Sequence, residues 1–320
     1  MDTPEFDQVI QAARRIRPFV RRTPLLDFPS LDDIAGCRVL LKCENLQYGG
    51  AFKLRGATNA VQALTEAEAA AGVATHSSGN HGTALSLAAK ARNIPCTVVM
   101  PDNSVKSKIA NVREAGGTVV FCAPTQAARE QTLHEIATES GAVVIPPYDH
   151  AMVISGQGTA ALEMLEQSPD LDMIVVPIGG GGLMAGTLLA ASGQENPVTV
   201  VGAEPAGADD ALQSLQRRER VVDVVPNTIS DGLRATIGEL NFAMFLEHRL
   251  EHIVAVDDDA TSAAMALLWR HTGMIIEPSS ATVVAALLAE PELFGGRKVG
   301  CIITGRNVDL DAETLARVAS

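Results

Sequence analysis

The sequence predicts an α/β protein with two lobes, each built on an open, mostly parallel twisted sheet flanked by helices. Short apolar runs alternate with helical patterns along most of the 320 residues. Hydrophobic residues make up 47% of the chain and aromatic residues only 3%, a composition typical of aliphatic helices packed on parallel strands. Four consecutive glycines directly after one apolar run indicate a strand that ends in a backbone turn, the place where ligands bind in such folds.

The first set of elements extends from residue 38 to residue 145. Residues 38–42 form a predicted strand and residues 52–64 a predicted helix. Four further short apolar runs alternate with three helical patterns: strands at 73–76, 96–100, 118–121 and 142–145, helices at 82–92, 104–115 and 125–140. This βαβαβαβ order predicts a four-stranded parallel sheet with right-handed crossovers.

A second set of strands starts at residue 173 and continues at 198–201 and 299–304. Between the two sets, Pro146-Pro147 and the polar Tyr148-Asp149-His150 indicate a return crossing between the lobes. We therefore expect a large domain formed by residues 1–72 and 150–320, and a small inserted α/β domain formed by residues 73–149. The active site is expected between the two lobes, outside the carboxyl ends of the strands.

The net charge of −13 argues against a nucleic-acid partner or an anionic membrane, because phosphate groups require clustered Lys and Arg. An anionic substrate would need a local cationic pocket. Five scattered cysteines without a C-x-x-C pair indicate neither a disulfide framework nor a zinc knuckle, and fit a reducing cytoplasm. The N-terminus shows no signal-peptide pattern, and no regulatory domain follows the last predicted helix at 312–318, so feedback inhibition is not expected.

The four glycines 179–182, followed by Leu183, lie between a core-like strand and a predicted helix at 184–191. Backbone N–H groups and the positive end of a helix dipole would meet there, as a phosphate group requires. A flexible glycine linker would instead have polar flanking residues. Gly179, Gly181 and Gly186 fit the dinucleotide spacing poorly, and the chain has no P-loop sequence, so a phosphorylated cofactor other than a dinucleotide is indicated.

Lys53 lies between Phe52 and Leu54 at the start of an apolar helix. Burial of the Lys53 amine away from water would lower its pKa and give the neutral amine that Schiff-base chemistry needs. Most lysines in such a position instead extend their amine into solvent. The segment 77–82, Ser-Ser-Gly-Asn-His-Gly, follows a strand and precedes a helix. Its hydroxyl, amide and backbone N–H groups can hold a carboxylate, or can simply cap the helix.

These three segments, Phe52-Lys53-Leu54-Arg55-Gly56-Ala57, residues 77–82 and residues 179–183, resemble the serine/threonine dehydratase family in order and context. The resemblance covers almost the whole chain, from Arg21 to the C-terminal strand. It implies a pyridoxal-phosphate (PLP) enzyme of fold type II, the tryptophan-synthase-β type, in a family that includes serine racemases and 3-hydroxyaspartate dehydratases. A homodimer that acts on a small amino acid is also implied.

The resemblance implies a role for each matching residue. Lys53 would bind the cofactor and later take the Cα proton, Phe52 would pack against the pyridine ring, and Asn80 would hydrogen-bond the ring 3-oxygen. The phosphate would lie on Gly179, Gly180, Gly181, Gly182 and Leu183, and the substrate carboxylate on Ser77, Ser78, Asn80 and His81. Thr304 would place a hydroxyl against the pyridine nitrogen.

The hydroxyl of Thr304 bears on the reaction. A carboxylate there would keep the ring nitrogen protonated, whereas a neutral hydroxyl leaves the Cα carbanion less delocalised and favours expulsion of a β-substituent. We therefore expect a β-hydroxy amino acid dehydratase that releases a 2-oxo acid and ammonia. A racemase on the same scaffold is the alternative, because Ser78 occupies the position of the second acid/base. A regulatory amino-acid-binding module is less consistent with Lys53, since binding alone needs no such lysine.

The segment 204–210 resembles the divalent-cation site of racemase-like members. The ligands would be Glu204, the Ala208 carbonyl and Asp210, with water completing the all-oxygen set that Mg²⁺ or Ca²⁺ prefers. A solvated acidic loop is the other interpretation.

Two arginines bear on the substrate. The chain has Thr304-Gly305-Arg306-Asn307, where the family typically has small residues before the asparagine. Arg306 would pair with a second substrate carboxylate, which favours 3-hydroxyaspartate over serine or threonine, or it would turn outward to Glu277 or Asp309. Arg129 is the other candidate.

Overall fold

The computed structural model describes residues 3–77 and 79–309. Ser78 and the predicted helix at 312–318 lie outside the described residues. Within them, the strands are β1 Leu25–Asp27, β2 Arg38–Cys43, β3 Val73–His76, β4 Cys96–Pro101, β5 Thr118–Cys122, β6 Val143–Val144, β7 Met173–Pro177, β8 Thr199–Pro205, β9 His252–Val256 and β10 Lys298–Ile303.

Some of the helices begin or end where the sequence supplies a cap. Thr65 and Glu68 form a capping box, Thr125 and Asp257 accept hydrogen bonds from the first turns that follow them, and Gly141 and Gly273 end helices in the left-handed conformation. The helices are α1 Phe6–Ile16, α2 Pro29–Ala35, α3 Lys53–Gln62, α4 Glu66–Ala71, α5 Asn80–Arg92, α6 Lys106–Glu114, α7 Gln126–Ser140, α8 Ala151–Gln167, α9 Gly182–Ser192, α10 Asp210–Arg217, α11 Glu239–Glu247, α12 Asp258–Thr272, α13 Pro278–Ala289 and α14 Pro291–Phe294. None of the described helices is long and apolar enough to span a bilayer.

The larger sheet has the order β1-β2-β10-β7-β8-β9, and its strands are parallel except for the antiparallel pair β1–β2. The sequence patterns did not indicate β1, which has only three residues, or β9, an edge strand with partly exposed residues. Strands β10 and β7 are central neighbours. Their carboxyl ends therefore bring the segment after Ile303 close to the glycines after Pro177.

The smaller sheet confirms the predicted four parallel strands, in the order β5-β4-β3-β6. All four strands fall between residues 73 and 149, and all strands of the larger sheet fall outside that range. Helix α3, which we assigned to the larger domain, packs its Leu54, Ala57 and Val61 into the core of the smaller sheet. The domain boundaries themselves remain a prediction.

Several element ends differ from the predicted ones, among them those of α6, β10 and β8. Helix α6 starts at Lys106 rather than at residue 104, because the Ser104 amide donates to Pro101 in a turn. Strand β10 ends at Ile303, because the Thr304 carbonyl turns to accept from the Phe52 amide. Strand β8 continues to Pro205, where it delivers Glu204 to the edge of the sheet.

Candidate active site

The glycine turn between β7 and α9 leaves no room for side chains. A Cβ on Gly180 would lie 2.4 Å from the ring of Tyr148, and one on Gly182 would lie 2.9 Å from the Tyr148 carbonyl oxygen. Gly181 has φ +91°, and the Gly180 carbonyl accepts hydrogen bonds from Asn241 Nδ2 at 2.7 Å and from Gly238 N at 3.1 Å. The turn is thereby held in a shape that presents the free amides of the first turn of α9, as a phosphate group requires.

Lys53 is the first residue of α3 and lies next to the carboxyl end of β10. An isolated bridge joins Ala51 to Gly305, and the Phe52 amide donates to the Thr304 carbonyl at 3.0 Å. The Lys53 Nζ donates to the Pro147 carbonyl at 2.8 Å and lies 5.1 Å from the centroid of the Phe52 ring. Burial lowers the pKa of Lys53 to about 8, against the opposing effect of Glu277, so a substantial neutral fraction exists near neutral pH.

A buried ionic network fixes α3 behind Lys53. Arg55 is fully buried and donates to both oxygens of Glu44 and both oxygens of Glu163, each at 2.8 Å. The fully buried Lys42 also donates to Glu163 at 2.8 Å and to the Thr23 carbonyl at 2.8 Å. The network joins β2, α3 and α8, and it therefore sets the position of the helix on which Lys53 is placed.

Thr304 is 3% exposed, and its Oγ1 lies 2.9 Å from Ser280 Oγ at the start of α13. Ser280 Oγ also accepts from the Gly305 amide at 2.8 Å. A Cβ on Gly305 would lie 2.5 Å from Glu277 Oε1, so a side chain there would displace the Glu277 carboxylate. A neutral hydroxyl pair, without a carboxylate partner, is therefore what the protein places at this end of the site.

Glu277 is a site residue whose role the sequence reasoning missed. Its carboxylate accepts from Asn80 Nδ2 at 3.1 and 3.0 Å, and burial raises its pKa to about 7. Asn80 Oδ1 in turn accepts from Asn307 Nδ2 at 2.8 Å, which fixes the orientation of the Asn80 amide. No sequence signal links these residues, because Asn80 and Glu277 are 197 positions apart.

The segment that is predicted to bind the substrate carboxylate lies at the N-terminus of α5. Ser77 and His81 are described, and Ser78 lies outside the described residues. His81 Nε2 is 3.0 Å from the Ile145 carbonyl and must donate to it, and burial lowers the pKa of His81 to about 3. The neutral ring then offers only a lone pair at Nδ1, so any carboxylate contact from this residue would come from its backbone N–H at the helix start.

The crossing from Ile145 to His150 contacts several site elements. Its carbonyls at Ile145 and Pro147 accept from His81 and Lys53, and the ring of Tyr148 packs against Gly180. The Asp149 carboxylate accepts from three backbone amides at the start of α11: Glu239, Leu240 and Asn241. We call this segment the crossing strap. The sequence indicated only a return crossing here, although an aromatic residue directly after two prolines was an available signal.

The two candidate arginines have different surroundings. Arg306 is exposed, and its Nη1 donates to the Asn45 carbonyl at 2.9 Å. Arg129 is half-buried on α7, its charge acts on His76 at the end of β3, and its buried Nε has no hydrogen-bond partner among the described residues. Arg129 therefore has hydrogen-bonding capacity left for a ligand.

The predicted cation ligands lie at the carboxyl end of β8. Glu204 is fully buried, and its oxygens accept from the Ala211 and Leu212 amides at 3.0 and 2.9 Å. Asp210 accepts from the Ile237 amide at 2.7 Å, and Ala208 is buried between the two acids. Burial raises the pKa of Glu204 well above its usual value and that of Asp210 to about 6, and the charge of Asp210 adds to the shift at Glu204. A divalent cation would offset the negative charge of these two buried carboxylates.

The family model described as a pyridoxal-phosphate dependent enzyme matches residues 16–305. A β-hydroxyaspartate dehydratase of Paracoccus denitrificans is 44% identical over 311 residues, 97% of this chain and 98% of that protein. An L-threo-3-hydroxyaspartate ammonia-lyase of a Pseudomonas species is 39% identical over 312 residues, 97% of this chain and 98% of that protein. The crystal structure of serine racemase from Dictyostelium discoideum superposes with a TM-score of 0.92 and 42% identity, covering 97% of this chain and 100% of that one.

These similarities extend over nearly the full length of this chain. They agree with the placement of Lys53, the Thr304–Ser280 hydroxyl pair and the glycine turn at the carboxyl ends of β7 and β10. They confirm fold type II and the predicted cofactor. The chain belongs to the family of pyridoxal-phosphate dependent enzymes.

Proposed function

We propose that this enzyme is a β-hydroxy amino acid dehydratase whose preferred substrate is 3-hydroxyaspartate. The observation that carries the substrate preference is Arg129, a half-buried cation whose Nε has no partner among the described residues. A chain with net charge −13 needs such a local cation to attract a dicarboxylate. The 3-hydroxyaspartate-specific names of two relatives support the same choice.

Pyridoxal phosphate, when bound, supplies a ring that stabilises negative charge on the substrate Cα. The glycine turn at residues 179–182 would hold its phosphate, Phe52 and Asn80 would contact its ring, and Thr304 would face the ring nitrogen. The amides at the start of α5 would orient the substrate carboxylate. Lys53 Nζ, buried and held by the Pro147 carbonyl, would then take the Cα proton, because its lowered pKa makes the neutral amine available.

Loss of the β-hydroxyl follows from the neutral surroundings of Thr304. The Thr304 hydroxyl is paired with Ser280 Oγ, and no carboxylate of the described residues is hydrogen-bonded to it, so a bound ring nitrogen would face a neutral hydroxyl. Charge at Cα would then be better relieved by loss of the β-hydroxyl, which would leave as water with the proton that Lys53 took from Cα, than by prolonged delocalisation. The released enamine tautomerises to an imine, which water hydrolyses to a 2-oxo acid and ammonia.

The test is ammonia release from the four 3-hydroxyaspartate stereoisomers, L-threonine and L-serine, compared by kcat/KM. We expect at least one hydroxyaspartate isomer to be preferred, and Arg129→Leu to lower kcat/KM for that isomer by at least about 10-fold while threonine turnover changes little. Arg306→Ala is the matched control, because this exposed side chain already donates to a carbonyl. A selective loss in Arg306→Ala instead would move the role to that residue, and unchanged selectivity in both would contradict the preference for a dicarboxylate.

Racemisation is the second candidate activity, supported by the serine racemase structure. It requires an acid/base opposite Lys53, the role the family gives to Ser78, which lies outside the described residues. Incubation of one enantiomer in D₂O separates the two activities. We expect oxo acid without the deuterated opposite enantiomer, and accumulation of that enantiomer would assign a racemase.

We further propose a divalent cation on Glu204, the Ala208 carbonyl and Asp210, supported by the burial of the two acids and by the effect of the Asp210 charge on Glu204. Dialysis against EDTA is expected to lower the melting temperature, and Mg²⁺ or Ca²⁺ to restore it. Glu204→Gln should abolish the response to the ion. An unchanged melting temperature in EDTA, with atomic analysis showing no bound metal, would contradict the site.

The assembly and location are part of the same proposal. We infer a homodimer from the resemblance to the family, and sedimentation velocity would test it. A cytoplasmic location is supported by the five cysteines, which are all free and buried.

A further inference from the structure

Three buried polar atoms on segments that follow strands of the smaller sheet have no hydrogen-bond partner among the described residues: His81 Nδ1, Arg129 Nε and His150 Nδ1. Buried polar atoms in native proteins are nearly always paired, so a group of unpaired ones needs an explanation. The sequence reasoning gave His150 no role beyond the return crossing.

The three side chains come from segments at the carboxyl-end edge of the smaller parallel sheet. His81 lies at the start of α5 after β3, Arg129 in the first turn of α7 after β5, and His150 at the end of the crossing strap after β6. His81 and Lys53 also bind successive parts of the crossing strap, at Ile145 and Pro147. The unpaired atoms therefore lie at the same edge of the smaller sheet as the strap that binds the Lys53 amine.

The backbone of His150 is fixed from both sides. Its amide donates to the Tyr148 carbonyl at 3.0 Å, and its carbonyl accepts from Ile154 at 2.9 Å in the first turn of α8. The preceding Asp149 is tied to the N-terminus of α11 by two hydrogen bonds of 3.0 and 3.1 Å and a longer one of 3.4 Å. The half-buried imidazole is thus presented from a rigid segment, as a residue that discriminates between ligands requires.

The two histidines have different capacities. The His81 proton is committed to the Ile145 carbonyl, so its Nδ1 can only accept a hydrogen bond. The Nδ1 of His150 is not committed and can carry a proton that it donates. Of the three unpaired atoms, Arg129 Nε and His150 Nδ1 are therefore the two that can donate to an anion.

We propose that His150 and Arg129 together bind the second carboxylate of a β-hydroxy dicarboxylic substrate. This rests on the proposed function and adds a second, named substrate-reading residue to it. A carboxylate has two oxygens and can accept hydrogen bonds from two donors at once. The Arg129 guanidinium on α7 would supply one donor, and the His150 imidazole in the crossing strap would supply the other. The methyl group of threonine would leave both donors unpaired, which costs binding free energy.

The experiment compares His150→Leu and His150→Asn in the holoenzyme. We expect the leucine variant to lower kcat/KM for the preferred 3-hydroxyaspartate isomer by at least about 10-fold, mainly through KM, with threonine and serine turnover within about 3-fold. Asparagine places an amide near the Nδ1 position and should recover part of the loss. His134→Asn, on an exposed part of α7, is the matched control and should change nothing.

A non-reacting ligand gives an independent readout. Succinate should inhibit threonine turnover competitively, and its inhibition constant should rise at least about 10-fold in His150→Leu while that of propionate stays unchanged. Equal losses on all substrates, or unchanged succinate inhibition, would overturn the role of His150. A wild-type enzyme that does not turn over hydroxyaspartate would overturn the proposed function instead, and succinate inhibition would still decide on His150.

Discussion

Replacing Lys53 with alanine is expected to lower kcat/KM for every substrate by at least about 10³-fold. The variant loses the buried Lys53 amine. In the parent protein this amine has its pKa lowered to about 8 and donates a hydrogen bond to the Pro147 carbonyl at 2.8 Å. Among the described residues, no other lysine side chain donates a hydrogen bond to the crossing strap. Ammonia release measures the loss, and the near-ultraviolet and visible absorption of the cofactor shows whether it still binds.

The control is Lys106→Ala, which removes an exposed amine at the start of α6. It should retain wild-type activity, and both variants should keep the far-ultraviolet circular dichroism of the parent. Residual activity of Lys53→Ala above a few per cent would contradict a base role for this lysine.

Replacing Arg55 with methionine is expected to lower the free energy of unfolding by about 3 kcal/mol or more. The change leaves the buried carboxylate of Glu44 without its guanidinium partner, and leaves Glu163 with Lys42 alone. Urea unfolding followed by circular dichroism measures the effect. Because α3 begins at Lys53, activity should also fall under conditions in which the variant is still folded.

A surface ion pair provides the comparison. Arg22 and Glu166 lie 2.6 Å apart, but their side chains are 53% and 51% exposed, so Arg22→Met should cost less than about 1 kcal/mol. Adding Glu44→Gln to Arg55→Met should recover part of the lost stability, because it removes the unpaired charge. Equal losses for Arg22→Met and Arg55→Met would show that burial of the network does not determine its contribution.

The sequence predicted the architecture well because buried parallel strands produce a recognisable local pattern of apolar residues. The apolar runs after Gly72 and before Gly179 are continuous and bounded by glycine or polar turns, and both became buried strands. Edge strand β9 was missed because its exposed residues weaken the apolar pattern. Strand β1 has only three residues and pairs antiparallel, which no periodicity reveals.

The site was predictable where a local motif carries the chemistry, at Lys53 and at the four glycines. It was not predictable where a residue acts through a distant partner. Glu277 matters because it meets Asn80 across 197 positions, and Tyr148 because it packs against Gly180. Those contacts arise only when the two sheets are assembled, so a linear pattern does not contain them.

The crossing strap contacts elements around both sheets. Its Pro147 carbonyl holds the reacting amine, its Tyr148 ring supports the glycine turn, and its Asp149 carboxylate is fixed to α11. We therefore expect any motion of this segment to displace the Lys53 amine and the glycine turn together. An opening of the site for product release would then also disturb the alignment of the reacting groups.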